Sequence, residues 1–202
     1  MNYIKFFVAA CAMTFAVNAS AESDNTRSNL SGYNRIELSY APMFVGDVNT
    51  RSSYNGRIYT AMYSSYTLHG FSADYTRGIH VTKNLPMFIE VGGGLQFNHT
   101  SFWNTGYNVL RLNVPANFTY RFAVGSAKVW KISPYTGFNF GFNLINDWGD
   151  KVFQLGWNAG CNFTYKRLLL GVGYTLDFMP IVGGFSNDTY SGTLKVKVGF
   201  EF

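Results

Sequence analysis

From Asn34 to the C-terminus, apolar and polar residues alternate with period two, the pattern of β-strands that bury or present one apolar face. Eight segments carry it. The first sets Ile36, Leu38 and Tyr40 against Arg35, Glu37 and Ser39, and the second sets Phe71, Ala73 and Tyr75 against Ser72, Asp74 and Thr76. The third runs from Met87 to Asn98, the fourth from Leu110 to Arg121, and the fifth from Ile132 to Asn143. The sixth spans Phe153 to Tyr165, the seventh Leu168 to Phe178, and the eighth Thr193 to Phe202. Parity at His69-Gly70 is ambiguous, and Gly70 reads as a candidate bulge.

Each of these segments is about long enough to cross a bilayer as a tilted strand, which takes roughly 9–11 residues. The expected connections alternate in length: long around Asp47–Ser65, His99–Gly106, Asn146–Lys151 and Val182–Thr189, short around Thr82–Pro86, Val124–Val129 and Lys166–Arg167. Even strand number, with long loops at one end and tight turns at the other, is the pattern of an outer-membrane barrel whose turns and termini face the periplasm. Asn117-Phe118-Thr119-Tyr120-Arg121 and Asn162-Phe163-Thr164-Tyr165-Lys166 form a weak internal repeat at that end, with tyrosines at girdle level.

Alternation alone also fits a soluble lipocalin-like barrel, with its apolar face inside. The composition of the polar face chooses between them. It is mostly Gly, Asn, Ser and Thr with isolated charges, not the Lys and Glu of a water-facing surface. Small polar groups suit the cramped lumen of an eight-stranded barrel. Charged residues are only 13% of the chain and aromatics 18%, so the Phe-, Tyr-, Leu- and Val-rich face is expected to meet lipid. The expected fold is therefore all-β, an eight-stranded antiparallel up-and-down transmembrane β-barrel over 34–202.

The N-terminus carries an address. Lys5, the apolar Phe6–Val17 and the small-x-small Ala19-Ser20-Ala21 make a secretory signal peptide over 1–21, leaving 22–33 as a short periplasmic lead-in. Val8-Ala9-Ala10-Cys11 loosely resembles a lipoprotein box, but the apolar run before Cys11 is very short and continues past it. With Cys11 removed, Cys161 has no partner for an internal disulfide. The net charge of +5 is scattered, and no nucleic-acid motif accompanies it, so no nucleic-acid partner is expected.

Leu194, Val196, Val198, Phe200 and Phe202 alternate up to a terminal aromatic. This resembles the C-terminal assembly signal that the barrel assembly machinery reads in outer-membrane proteins. With the signal peptide, and with segments such as Val81–Pro86 and Leu110–Pro115, the mature chain resembles the small OmpX/OmpA-like barrels and the Bacteroidetes-type outer-membrane β-barrel domain proteins. The resemblance implies a bacterial outer-membrane location, with lipid and lipopolysaccharide as surroundings. It implies no single activity, because such families host adhesion, structural, permeation and enzymatic roles.

Parity places Arg35, Glu37, Asp74, Glu90, Arg111, Arg121, Lys131, Asp177, Lys195, Lys197 and Glu201 on the lumen face. Buried charge must be paired, so a hydrogen-bonded network plugging the lumen is expected, with a narrow solute or ion path as the alternative. His69, and His99 in His99-Thr100-Ser101, raise a third reading, a lipid-modifying enzyme with a His-activated serine at the outer rim. His80 has no visible partner. The glycines Gly92-Gly93-Gly94 and Gly171-Val172-Gly173 lie inside strands, not before helices, and no His/Cys/Asp/Glu spacing suits a metal. No catalytic residue, cofactor or metal is assigned. A non-enzymatic barrel with a structural or surface-interaction role through its extracellular loops is the reading carried forward, Asp47–Ser65 being the longest loop.

Overall fold

The computed structural model describes the backbone of residues 32–54, 57–82, 85–102, 105–124, 129–147, 151–181 and 188–202, and their side chains except those of 47–65, Phe102, Thr105 and Asp188. The signal segment 1–21, and the lead-in up to residue 31, lie outside the described residues.

The strands are β1 (Tyr33–Tyr40), β2 (Met43–Tyr54), β3 (Arg57–His80), β4 (Met87–Phe102), β5 (Thr105–Tyr120), β6 (Phe122–Val124), β7 (Trp130–Asn146), β8 (Phe153–Tyr165), β9 (Leu168–Asp177) and β10 (Asp188–Glu201). Each pairs antiparallel with its neighbours, and β10 pairs with both β1 and β9, so the sheet closes. β1 with β2, and β5 with β6, form two continuous staves, which makes eight staves in all. The fold is a closed eight-stranded antiparallel β-barrel.

Pro42 explains the first break. Proline has no amide to give to a ladder, so pairing lapses between Tyr40 and Met43. The register survives: Tyr40 faces Phe71 and Val196, and Met43 faces Leu68 and Thr193, without a shift. Neighbouring groups satisfy the exposed backbone: Ala41 N–H donates to Gly70 O at 2.8 Å, and Asn98 Nδ2 donates to Ala41 O at 2.6 Å. Because register holds, parity holds. Tyr33, Arg35, Glu37, Ser39, Ala41, Met43 and Val45 are all buried on one face.

Two expectations are corrected here. Gly70 is not a bulge, since β3 pairs β4 without a shift from His69↔His99 to His80↔Phe88. Its lack of a side chain serves packing instead, because a Cβ there would strike the Asn98 side chain and Phe97 O. The second correction concerns Asp47–Ser65, which is not an irregular loop. β2 and β3 continue as a paired ribbon, with Val48 facing Met62, Thr50 facing Thr60 and Tyr54 facing Arg57, interrupted by register shifts at Gly46/Val48 and Thr50/Ser53. Val48, Thr50, Ile58, Tyr59 and Thr60 favour extended chain. Asn55-Gly56, which separates the arms and lies outside the described residues, is the dipeptide most favoured in two-residue hairpins. β4 and β5 likewise run to Phe102 and from Thr105, shortening the expected His99–Gly106 loop to two residues.

The apolar face is outside. Phe118, Phe140, Trp157 and Val196 are 43%, 38%, 41% and 52% exposed, whereas Asn113, Asn117, Asn139 and Asn158 are buried. That excludes the soluble-barrel alternative, because a continuous belt of bare aromatic and aliphatic side chains is incompatible with water. A closed sheet, with every interior ladder paired, can lie in hydrocarbon. One register shift, between Leu110 and Arg111 on β5 opposite β7, breaks parity and leaves consecutive Leu144 and Ile145 both exposed.

Close packing around Tyr135 shows how little room the lumen leaves. Its hydroxyl lies where a Cβ on Gly160 or Gly173 would stand, on the adjacent strands β8 and β9. Overpacking of this kind costs about 1–3 kcal/mol. Gly173→Ala is therefore expected to lower the urea midpoint of the vesicle-folded barrel, followed by heat-modifiable gel mobility. Tyr135→Phe, which removes the clashing atom, restores part of that loss in the double variant. An additive double variant would refute the contact.

Candidate functional site

Among the described residues the inner face holds six cations and five carboxylates, and each of them has a partner of opposite charge within ion-pair distance. Pairing is what lets a narrow, mostly dry lumen hold them, since an isolated buried ion is far too costly.

Four levels follow from the strand register. At the inner (turn) end, Tyr33 on β1 and Phe88 on β4 point inward with ring centroids 5.1 Å apart. The guanidinium carbons of Arg35 and Arg121 lie 4.4 Å and 4.1 Å from the Tyr33 ring centroid, so two cations share one aromatic ring. Tyr33 donates its hydroxyl hydrogen to Glu90. Arg35 reaches Glu90 at 2.7 Å and Glu201 at 3.3 Å, and Arg121 also bonds Glu201, which Lys131 approaches at 3.4 Å. Glu201, on the last strand, is thus the shared anion for cations from β1, β7 and the β5/β6 junction.

The next level up is a polar chamber. Lys197 pairs with Glu37 at 3.1 Å and Lys195 with Asp74 at 3.2 Å. Lys197 Nζ also lies 4.7 Å from the Tyr135 ring centroid. The chamber's cavity is about 40 Å³, lined also by Asn113, Asn139 and Thr175, room for about two or three waters. Amide side chains cross it: Asn139 donates to Asn113 at 2.9 Å, and Asn158 to Asn117 at 3.2 Å.

Above it, Arg111 on β5 pairs with Asp177 on β9 at 2.8 Å and donates to Asn143 Oδ1 at 2.9 Å. Ser191 on β10 donates to the same Asp177. The outermost level is apolar: Met43, Val45, Leu68, Val109 and Ile181 pack together, each fully buried. That layer was not anticipated. Val109 shares parity with Arg111, and Met43 and Val45 share parity with Ser39 across Pro42, so extending the alternation past the proline would have found most of it. Tyr33 was missed for the same reason, lying one residue before the expected first strand.

The outer rim carries two of the three histidines, His69 and His99. Tyr40 and His69 bond through hydroxyl and Nδ1 at 2.5 Å on the outside of β1 and β3. His99 Nδ1 lies 2.9 Å from Asn108 Oδ1, and Asn108 donates through N and Nδ2 to Asp147 Oδ2 at 2.8 Å and 2.9 Å. A phenol and an amide are therefore their partners, and neither arrangement generates a serine nucleophile. His80, at the inner end, bonds Leu85 O at 2.9 Å. Cys161 faces outward beside Pro134 and Val172 as a free thiol, acting as a small apolar side chain of the belt. Among the described residues no group of His, Cys, Asp and Glu could hold a metal. Of the C-terminal apolar set, Leu194 is half-buried, while Val196, Val198, Phe200 and Phe202 are exposed on the outer face.

A closed antiparallel barrel, apolar outside and filled with paired charge inside, has the architecture of a small bacterial outer-membrane protein. No protein-family profile matches the chain, and no curated protein matches it. Solved structures of similar form include Neisserial surface protein A, at 17% identity over 85% of this chain and 97% of that one, with a TM-score of 0.49. Ail, the attachment invasion locus protein of Yersinia pestis, matches at 15% identity over 85% of this chain and 99% of that one, with a TM-score of 0.46. A structure of Ail with the heparin analogue sucrose octasulfate matches with a TM-score of 0.48, at 15% identity over 85% and 99% of the two chains. Likeness at this level is one of general form and says nothing about what this chain binds.

Breaking a buried ion pair by removing one partner typically costs about 3–5 kcal/mol. Glu201→Gln leaves Arg35 with Glu90 and Glu37 but strips Arg121 and Lys131 of the one carboxylate that each has among the described residues, so a loss of about 3 kcal/mol in vesicle unfolding is expected. Lys131→Gln, at a partly exposed position of the same cluster, is expected to cost under about 1 kcal/mol. Equal losses would show that Glu201 is not the hub.

Proposed function

We propose that this chain is a non-conducting, non-enzymatic barrel of the bacterial outer membrane whose working surface is its outer rim, above all the β2–β3 ribbon. In this reading residues 1–21 direct export, and Leu194, Val196, Val198, Phe200 and Phe202 present the strand that the barrel assembly machinery engages. Lipid and lipopolysaccharide surround the belt, and the extracellular ligand is taken by the ribbon and its neighbours.

The observation that carries the reading is the filled lumen. Its two ends are closed by different chemistry: rings and guanidinium groups around Tyr33 at one end, the apolar layer around Val109 at the other. An ion crossing the apolar layer would lose its water without gaining a ligand. A solute path through the axis therefore has little to support it, and a binding role falls to the surfaces outside. β2 and β3 extend from Met43 to Tyr54 and from Arg57, well past the level where β3 stops pairing with β4 at His69. A ribbon held by its own ladder gives a ligand a preorganised surface, which lowers the ordering cost of binding.

Two measurements test this. The refolded barrel is expected to give no discrete conductance steps in planar bilayers, whereas steady single-channel currents would sink the closed-lumen reading. Deleting residues 49–64 is expected to leave heat-modifiable mobility intact and to abolish ligand capture by intact cells. Undiminished capture would remove the ribbon from the function.

A further inference from the structure

Charge is sorted between the inside and outside of this barrel. Among the described carboxylates, Glu37, Asp74, Glu90, Asp177 and Glu201 are turned into the lumen, and only Asp147 is exposed, at the outer rim. At the opposite, turn-bearing rim the exposed described charges include Lys166 and Arg167, adjacent residues that form the two-residue connection from β8 to β9. Neither makes an ion pair among the described residues.

The turn is fixed, not frayed. Lys166 N–H donates to Val129 O at 3.0 Å, and Arg167 O accepts from Glu201 N–H at 2.7 Å, tying it to both flanking strands. Lys166 stands at φ 54°, a left-handed conformation where glycine or asparagine is the easier choice. Both cations lean on aromatic rings: Lys166 Nζ is 5.5 Å from the Tyr165 centroid and Arg167 Cζ is 6.0 Å from that of Phe200. Trp130 packs at a tilt against Tyr165 with centroids 4.4 Å apart. Leu168 and Phe200, paired across β9 and β10, continue the exposed apolar belt directly beside the turn.

We propose that this turn binds the phosphodiester of an anionic phospholipid in the periplasmic leaflet, an assignment that rests on the outer-membrane reading for its orientation. Arg167 offers paired N–H donors to the two non-bridging phosphate oxygens, and Lys166 adds a compact positive charge beside them. The acyl chains lie along Leu168 and Phe200, and the Trp130 indole sits at headgroup depth. A free phosphate would leave that apolar flank unused. A zwitterionic ethanolamine lipid would bring a further ammonium, and among the described side chains no exposed carboxylate stands at this rim to receive it.

The test uses the mature chain folded into phosphatidylethanolamine vesicles containing phosphatidylglycerol, with Trp103, Trp148 and Trp157 changed to Phe so that Trp130 alone reports. Bromine is carried on the acyl chains of one lipid at a time, at matched mole fraction. Brominated phosphatidylglycerol is expected to quench Trp130 more strongly than brominated phosphatidylethanolamine. Lys166→Asn with Arg167→Gln is expected to erase the difference, by about five-fold in local enrichment for each cation removed, while heat-modifiable mobility stays unchanged. Asn tolerates the left-handed backbone, so loss of fold is not built into the variant. Equal quenching by the two lipids in the parent, or a preference that survives the double substitution, overturns the site. A chain that never inserts into vesicles overturns the outer-membrane reading as well, which separates the two failures.

Discussion

The interaction on which the rest of the molecule depends is the pairing of the last strand with the first. β10 runs against β1 from Tyr40↔Val196 to Arg35↔Glu201, and Phe202 exchanges backbone hydrogen bonds with Asn34 at 2.9 Å and 3.0 Å. Without it the sheet has two open edges, which hydrocarbon cannot satisfy. With it, the number of staves sets the radius, and the radius leaves a lumen that side chains just fill. The same seam also joins Arg35 to Glu201, so closing the backbone completes the charge cluster at the inner end.

A lumen this narrow limits which side chains can share a level. Where Tyr135 lies over the neighbouring strands, β8 and β9 have Gly160 and Gly173. Where Arg111 enters, Asp177, Asn143 and Ser191 converge on it or on its partner. Large and small residues alternate between facing strands for volume, and cations alternate with carboxylates for charge. Both requirements leave the interior dedicated to holding the barrel together. Recognition is then left to what projects from the rims: the β2–β3 ribbon at one end, and the turns at the other.

How far the chain could be read in advance varied with the kind of information. Strand identity and facing came from alternation, because a period of two is a local property of extended chain. Phe118, Phe140 and Trp157 could be assigned to lipid and Asn117, Asn139 and Asn158 to the axis from parity and composition alone. The β2–β3 ribbon was misread as a loop, although Asn55-Gly56 between β-favouring arms was a hairpin signal in plain view. The apolar outer layer escaped because Pro42 and the end of the regular alternation suggested that the strand stopped at Tyr40, whereas the register runs through.

The sequence by itself determined that this chain makes antiparallel strands, how many, and which side of each meets lipid, since these follow from neighbours one and two residues apart. Only the tertiary structure decided which charges share a partner. Arg35 and Glu201 are brought together from opposite ends of the chain, and Arg111 and Asp177 from strands that do not pair, by the curvature and stagger of closure. The same holds for the turn at Lys166, whose cations have no ion-pair partner among the described side chains, since the carboxylates of the neighbouring strands are turned inward.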